Sequence, residues 1–365
     1  MYYHIYKTLF LKYHNGREIV AQTAGNNMKI TLDEIARMSN VSKATVSRVL
    51  NNVPGGVGDE TRRRVKDVLT RMNYQVDDVR RIRSRSIGLI VPDIANPFFA
   101  KLAQEISDIA LQRDYTVLFG NSNSSEENEA RIITAFVAKR VDGVVLVPVG
   151  SEYLAAYQLF SKYKVPCVLL DRDIPGMEKC ASVLADNESI SFACCELLIG
   201  NGSTDIAYIM GPSETYTAQE RLKGYRRALE RYGLPYDPER VCKGSYTIES
   251  GYNAILGLER AGVKYSAVLC ANDLMAMGAI RALRELSRRI PDDVEVIGFD
   301  NIEYAQYTNP SLTTVQQPTV EMGRKAVRLI IDAIEGRLEQ MGATIHLQPK
   351  LLRRMTTRQT DRKGI

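Results

Sequence analysis

The sequence predicts two folds in series: a small all-α helix-turn-helix domain, then a larger α/β domain. Three observations predict it. Charge is split along the chain, with 13 Lys or Arg against 7 Asp or Glu in residues 28–86, and 32 against 35 in residues 87–365. Apolar residues in the front segment recur at helical spacing. Beyond residue 87, short runs rich in Val and Ile alternate with amphipathic stretches, the pattern of parallel strands joined by crossover helices.

The chain has 365 residues, 45% apolar and 25% charged, enough for two or three domains with real cores. No apolar run approaches the roughly 20 residues that a membrane helix needs. The opening MYYHIYKTLFLKYHNG is broken by Lys7, Lys12 and His14, which argues against a secretory signal and for a cytoplasmic protein. Six cysteines (167, 180, 194, 195, 242 and 270) form no C-x-x-C pair and are expected to be reduced thiols. His4, His14 and His346 are too scattered for a metal centre or a His-based triad. No metal or cofactor is expected.

The first predicted helix lies in TLDEIARMS, residues 31–39. Thr31 as N-cap and Glu34 three residues later form a capping box, and Leu32, Ile35 and Ala36 mark its buried stripe. A break follows at Asn40 and Val41, and Ser42 caps a second helix. That helix, in NVSKATVSRVLN, turns Val46, Val49 and Leu50 inward and Lys43, Ser47 and Arg48 outward. A third, in DETRRRVKDVLTRMNY, closes the core with Val65, Val68, Leu69 and Met72. A basic helix face is often merely solvated. Here caps, an amphipathic helix pair and a positive local balance coincide, which favours a polyanion partner. In a major groove Lys43 and Arg48 can donate to guanine O6 and N7, and the Ala44 methyl can touch a thymine methyl. Thr31, Ser42, Thr45, Ser47 and Asn51 suit phosphate contacts.

The strand signals of the second module are SIGLIVPD, YTVLFG, DGVVLVPV, VPCVLLD, DIAYIMG, AVLCAND and VEVIGFD. Helical stretches such as FFAKLAQEISDIALQR and RLKGYRRALERYG lie between them. Nearly every strand run ends in polar or special residues, among them Asp93, Asn121, Asp171, Gly211, Asn272 and Asp300. Ligands of parallel sheets bind beyond those carboxyl ends. The first strand runs into PDIANPFF rather than G-x-G-x-x-G, which argues against a dinucleotide fold.

ITLDEIARMSNVSKATVSRVLNN, followed by ETRRRV and MNYQ, resembles the DNA-binding domain of the lactose-repressor/galactose-repressor family of bacterial transcription regulators. The likeness continues through IGLIVPDIANPFFA, KRVDGVVLVP, RLKGYRRAL, CANDLMAMGAIRAL, VIGFDNIEYA and PSLTTVQQP, with a lean toward ribose-type sugar-responsive members. It implies a helix-turn-helix domain at residues 28–75, a hinge at 76–86, and a two-lobed, periplasmic-binding-protein-like effector and dimerisation domain at 87–360. The lobes would be 87–186 with 317–347, and 187–316 with 348–360. Residues 1–27 have no counterpart and read as a disordered extension or an upstream start, and 361–365 as a tail. The resemblance also implies operator DNA, a small sugar effector and a second copy of the chain as partners, with no membrane. Mapped motif by motif, the effector contacts are Asn96, Phe98, Phe99, Asp186, Thr217, Arg221, Tyr246, Asn272, Asp300 and Gln317. Carboxylates, amides and a guanidinium would take hydroxyls, and aromatic faces the apolar side of a ring. For Arg221 and Asp300 an inter-lobe salt bridge is the alternative. For Phe98 and Phe99 it is ordinary core.

The linker YQVDDVRRIRSRSIG departs from the family. It is shorter, Val76 stands where a proline is usual, and no leucine is available to wedge into a minor groove. Ile82 is the one apolar candidate for that role, with Arg80 and Arg81 placed to track phosphates. Gly58 takes a cap position that is usually Ser. Two other classes fit less well. A transporter's solute-binding protein needs an export signal and no basic head. An enzyme needs a phosphate-cradling loop, a nucleophile elbow or a metal cluster, and none is present.

Overall fold

The computed structural model describes residues 32–50, 57–71, 84–150, 154–177, 180–337 and 342–359. The chain divides into two units, one ending at Ser84 and the other beginning at Arg85. Thr31, Asn51, Arg80, Arg81 and Ile82 lie outside the described residues, as do Met72, Val76, residues 1–27 and the tail 361–365.

The front unit holds α1 (Leu32–Met38), α2 (Lys43–Leu50) and α3 (Asp59–Arg71). Ile35 and Ala36 of α1, Val46, Val49 and Leu50 of α2, and Val65, Val68 and Leu69 of α3 form one small core. Asn40 makes the turn with φ +51°, a conformation Asn tolerates better than most residues. The Ser42 hydroxyl caps α2 by accepting from the Thr45 amide at 3.1 Å. α3 begins directly after Gly58, whose carbonyl accepts from the Arg62 amide. Gly therefore fills the cap position using its backbone alone.

The second unit is built on two six-stranded sheets. β1 (Ser86–Val91), β2 (Thr116–Asn121), β3 (Gly143–Leu146), β4 (Cys167–Leu170), β5 (Ala181–Ala185) and β11 (Thr344–Leu347) form the first, in the order β11-β5-β4-β3-β1-β2. β6 (Ile206–Met210), β7 (Val241–Lys243), β8 (Ala267–Cys270), β9 (Glu295–Asp300), β10 (Thr313–Gln316) and β12 (Lys350–Leu352) form the second, in the order β12-β10-β9-β8-β6-β7. All pairings are parallel except β10 with β12. The chain crosses between sheets three times: after β5, after β10, and between β11 and β12.

The helices are α4 (Pro97–Leu111), α5 (Glu126–Ala138), α6 (Leu154–Lys162), α7 (Asn187–Gly200), α8 (Tyr216–Arg231), α9 (Ile248–Arg260), α10 (Asp273–Glu285) and α11 (Thr319–Ile334). Helices cover both faces of the first sheet. Leu102, Ile106 and Ile330 pack on one side, and Ile133, Phe136, Tyr157 and Phe160 on the other. That cover explains the unbroken apolar runs of β3 and β4, which show no alternation.

Five strands carry no signal that the sequence reading caught: β5, β7, β10, β11 and β12. β10 shows why. Its sequence is TTVQ, yet Thr313 and Thr314 are fully buried. The Thr313 amide donates to the Thr356 hydroxyl at 2.8 Å, and the Thr314 hydroxyl donates to Asp273 at 2.5 Å. Tertiary partners satisfy this strand's polar side chains, and local pattern does not reveal them.

Candidate functional site

Strand ends from both sheets bring charged residues within reach of one another. From the first sheet come Asp171 and Arg172, directly after β4; from the second come Asp300 at the end of β9 and Asn272 after β8. Gln317 sits on the second crossing, between β10 and α11. α8 adds Thr217 and Arg221, both buried.

Arg221 is the hub. Its Nε donates to Asn187 Oδ1 at 2.8 Å and its Nη1 to the Ala271 carbonyl at 2.5 Å. Its Nη2 lies 4.0 Å from Asp300, and the guanidinium stacks 3.6 Å from the Phe299 ring centre. Burial pushes the Asp300 carboxyl well above its usual range; Arg221 opposes this, and the nearby charges of Asp273 and Asp171 reinforce it. Asp171 is likewise raised by burial and drawn down by Arg172 and Arg221. Asp171, on the first sheet, thus shares a field with Arg221 and Asp300 on the second.

Four buried polar atoms here lack a hydrogen-bond partner of good geometry: Asp171 Oδ1, Arg172 Nε, and Oε1 and Nε2 of Gln317, although the Gln317 amide lies close enough to Asp300 to draw its carboxyl down. Arg172 Nε is 3.8 Å from Asp171, beyond hydrogen-bond reach, while its Nη1 donates to the Pro148 carbonyl at 3.1 Å. The other unpartnered atoms among the described residues are the hydroxyls of Tyr115, ahead of β2, and Tyr208, midway along β6. Unsatisfied buried groups are rare in native folds, so these four atoms are the candidates for a ligand's polar contacts. Asp171 (φ +64°), Tyr246 (+61°), Asp300 (+106°) and Asn301 (+52°) lie at positive φ, as do eight other non-glycine residues among the described residues.

The sequence-predicted residues divide by what holds them. Tyr246 turns its hydroxyl to Thr215 and Thr217, 3.3 Å from each. Its ring fills the space beside Gly211, where any Cβ would overlap it. Asn272 has both amide ends engaged, Oδ1 capping α10 at the Met275 amide and Nδ2 donating to the Tyr246 carbonyl. Asn96 Oδ1 caps α4 at the Phe98 amide. Asp186 caps α7 at Ser189 and accepts from Gln348; these bonds outweigh its burial and keep it below the usual carboxylate range. Phe98 and Phe99 are 5% exposed and meet edge to face, both within the first sheet's core, and Phe99 also lies 5.8 Å from Arg172.

Asp171, Arg172, Asn187 and Phe299 were not singled out as contacts from sequence. The strand-end rule contained the signal for the first two, since VPCVLLD stops at Asp171. The Asp273 carboxyl, pushed up to about 7 by burial, accepts from Thr314 and from the Ile302 amide. It braces the turn that carries Asp300.

On the front unit, Ser42, Lys43, Ala44 and Arg48 are exposed, and Thr45 and Ser47 half-buried. Lys43 pairs with Asp33 of α1 at 2.8 Å, and both side chains are mostly exposed. Such a pair contributes little and yields readily to a competing anion.

Two families match by model. "Bacterial regulatory proteins, lacI family" covers residues 31–77, and "Periplasmic binding protein-like domain" covers 195–357. The chain is 34% identical to catabolite control protein A of Priestia megaterium over 308 residues, 83% of this chain and 92% of that protein. It is 32% identical to the HTH-type transcriptional repressor CytR of Escherichia coli strain K12 over 332 residues, 90% of this chain and 96% of that one. Among solved structures, the transcriptional regulator CelR–cellobiose complex is similar with a TM-score of 0.70 and 31% identity, covering 90% of this chain and 99% of that one. A LacI family regulator from Enterococcus faecium with bound ribose has a TM-score of 0.68 and 25% identity, covering 76% and 100%.

Proposed function

This chain belongs to the lacI family of bacterial regulatory proteins, and we propose from that premise that a neutral sugar, held in the cleft between its two sheets, sets its grip on operator DNA. It is a DNA-binding transcription regulator with an effector domain, and not an enzyme. The effector's class, the contact residues and the dimer are our reading.

One observation carries the sugar assignment: the unpartnered atoms of Asp171, Arg172 and Gln317 include both donors and acceptors. A hydroxyl both donates and accepts, so a polyol can satisfy all four. Two buried guanidiniums, Arg172 and Arg221, stand beside two carboxyls, Asp171 and Asp300, that burial holds toward their neutral forms. Similar proteins hold cellobiose and ribose. Phe99 borders the ring on its apolar side, Phe299 backs the Arg221 guanidinium, Tyr246 and Thr217 stand beside the ring, and Asn96, Asp186 and Asn272 shape the walls by capping helices. Two copies present their α2 helices to successive major-groove half-sites, in the cytoplasm where the operator lies.

Thermal-shift screening of the intact chain tests the effector class. A neutral mono- or disaccharide at about 100 times its dissociation constant adds roughly 2.7 kcal/mol of stability. A nucleoside or sugar phosphate that stabilises while every neutral sugar fails overturns the assignment. Gel shifts with the gene's own upstream duplex test the DNA reading. Arg48→Ala is expected to weaken binding by about 1–3 kcal/mol and relax preference at one base pair. No retardation of the intact protein at low salt overturns it.

A further inference from the structure

Two of the six cysteines, unremarkable in sequence, are brought together by the fold. Cys167 opens β4, and Cys180 immediately precedes β5. The two strands pair in parallel with Val168 opposite Ala181. One step back along both chains therefore sets Cys167 beside Cys180. Adjacent strands run about 4.8 Å apart, inside the roughly 4.4–6.8 Å window of Cα separations that a disulfide spans. Both side chains pack into the same core cluster, on the face that carries Phe136 and Phe160.

We propose that Cys167 and Cys180 form a peroxide-oxidisable thiol pair that closes to an intramolecular disulfide in the first sheet. The two members differ as such a pair requires. Cys167 is buried, whereas Cys180 is partly exposed and stands in a bend outside the strand ladder, with its amide bonded to the Met177 carbonyl. The neighbouring Cys167 thiol draws Cys180 below its ordinary value, while Cys180 and burial push Cys167 well above. Cys180 is then the attacking thiolate and Cys167 the resolving thiol.

In the first step the Cys180 thiolate attacks one oxygen of hydrogen peroxide. The O–O bond breaks, hydroxide leaves and takes a proton to become water, and Cys180 is left as sulfenic acid. In the second, the Cys167 sulfur attacks the Cys180 sulfur, and the displaced oxygen leaves with the Cys167 proton as a second water. Two thiols are oxidised and one peroxide is reduced. A low-molecular-weight thiol reverses the bond by exchange. The disulfide closes the loop 168–179, which carries Asp171 and Arg172. Any consequence for effector affinity rests on the cleft assignment above, but formation of the bond does not.

The four remaining cysteines provide an internal control. Cys194, Cys195 and Cys270 are fully buried. Cys242 is partly exposed like Cys180, but burial pushes its thiol up to about 11. Intact protein is reduced, desalted, treated with one equivalent of hydrogen peroxide, quenched with N-ethylmaleimide and peptide-mapped by mass spectrometry. A linked Cys167–Cys180 peptide is expected, with Cys180 consumed on the order of tenfold faster than Cys242. Cys167→Ser is expected to accumulate a dimedone-reactive sulfenic acid at Cys180 that the unaltered chain does not. Oxidation of Cys242 ahead of Cys180, a Cys180 sulfenic acid that persists in the unaltered chain, or linkage of either thiol elsewhere overturns the proposal. Because the mapping uses the unaltered chain, a variant that fails to fold leaves the test intact.

Discussion

Asp171 Oδ1 is buried without a partner, and that carboxyl illustrates how a single residue can be costly for folding and useful for binding. Its charge is desolvated, and Arg172 and Arg221 offset only part of the penalty. Asp171→Asn is therefore expected to leave the melting temperature of the effector-free protein unchanged or raised. Its effector affinity should fall by roughly ten- to a hundredfold, the worth of a charged hydrogen bond. Melting curves and titration calorimetry separate the two effects, and a variant that loses stability and affinity together contradicts the account. Glu129, on α5, is a second buried carboxyl, pushed up to about 7 by desolvation against its bonds to Tyr157 and the Val149 amide. Tyr157 has one hydroxyl proton but lies 2.5 Å from Glu129 and 2.9 Å from the Gly150 carbonyl. A protonated Glu129 resolves this by donating to Tyr157, which then donates to Gly150. Because the folded value lies above the ordinary 4.5, this group's stabilisation is complete below pH 4.5 and disappears as pH rises through 7. Glu129→Gln mimics the protonated acid, so it should fold and show a flatter dependence of urea midpoint on pH between those limits. An unchanged slope would count against a neutral Glu129.

At the scale of elements, the second lobe is held by helix pairs that approach backbone to backbone. A Cβ at Gly278 of α10 would overlap the Ile248 carbonyl of α9, and one at Gly251 of α9 would overlap the Met275 backbone. Neither neighbour is a flexible side-chain tip that can move aside. Gly278→Ala is expected to destabilise the protein by about 1–3 kcal/mol, read as a lower urea midpoint at unchanged slope. This packing has a functional side: α10 begins at Asn272 and Asp273, which hold the Tyr246 backbone and the Asp300 turn. Tight helix contact thus fixes strand ends from below, and cleft residues inherit that rigidity.

For the whole molecule, three crossings join the two sheets. Asp171 belongs to one sheet, Arg221 and Asp300 to the other, and Gln317 to a crossing. A ligand touching all of them favours one relative placement of the sheets over others. If that placement alters operator binding, linkage requires the coupling to be reciprocal. The factor by which effector changes operator affinity should equal the factor by which operator duplex changes effector affinity. Calorimetric titration of effector, with and without saturating duplex, measures one side, and operator binding with and without effector measures the other. Factors of one on both sides would mean that effector and operator binding are not coupled.

The sequence by itself determined the helix-turn-helix head, because caps, charge and helical periodicity are local signals. It determined the parallel strands at the sheet centres for the same reason: burial on both faces demands continuous apolar runs such as GVVL and CVLL. Arg221, Asp300 and Gln317 were named from motifs. Tertiary structure decided that Asp171, at a strand end already legible in sequence, acts on Arg221 and Asp300, and that Asn272 and Asn96 have their amides engaged in helix caps. It likewise decided that TTVQ is a buried strand and that Cys167 neighbours Cys180. Each of these depends on residues distant along the chain, and whether a polar group is satisfied or left waiting is set by which partners the fold carries to it.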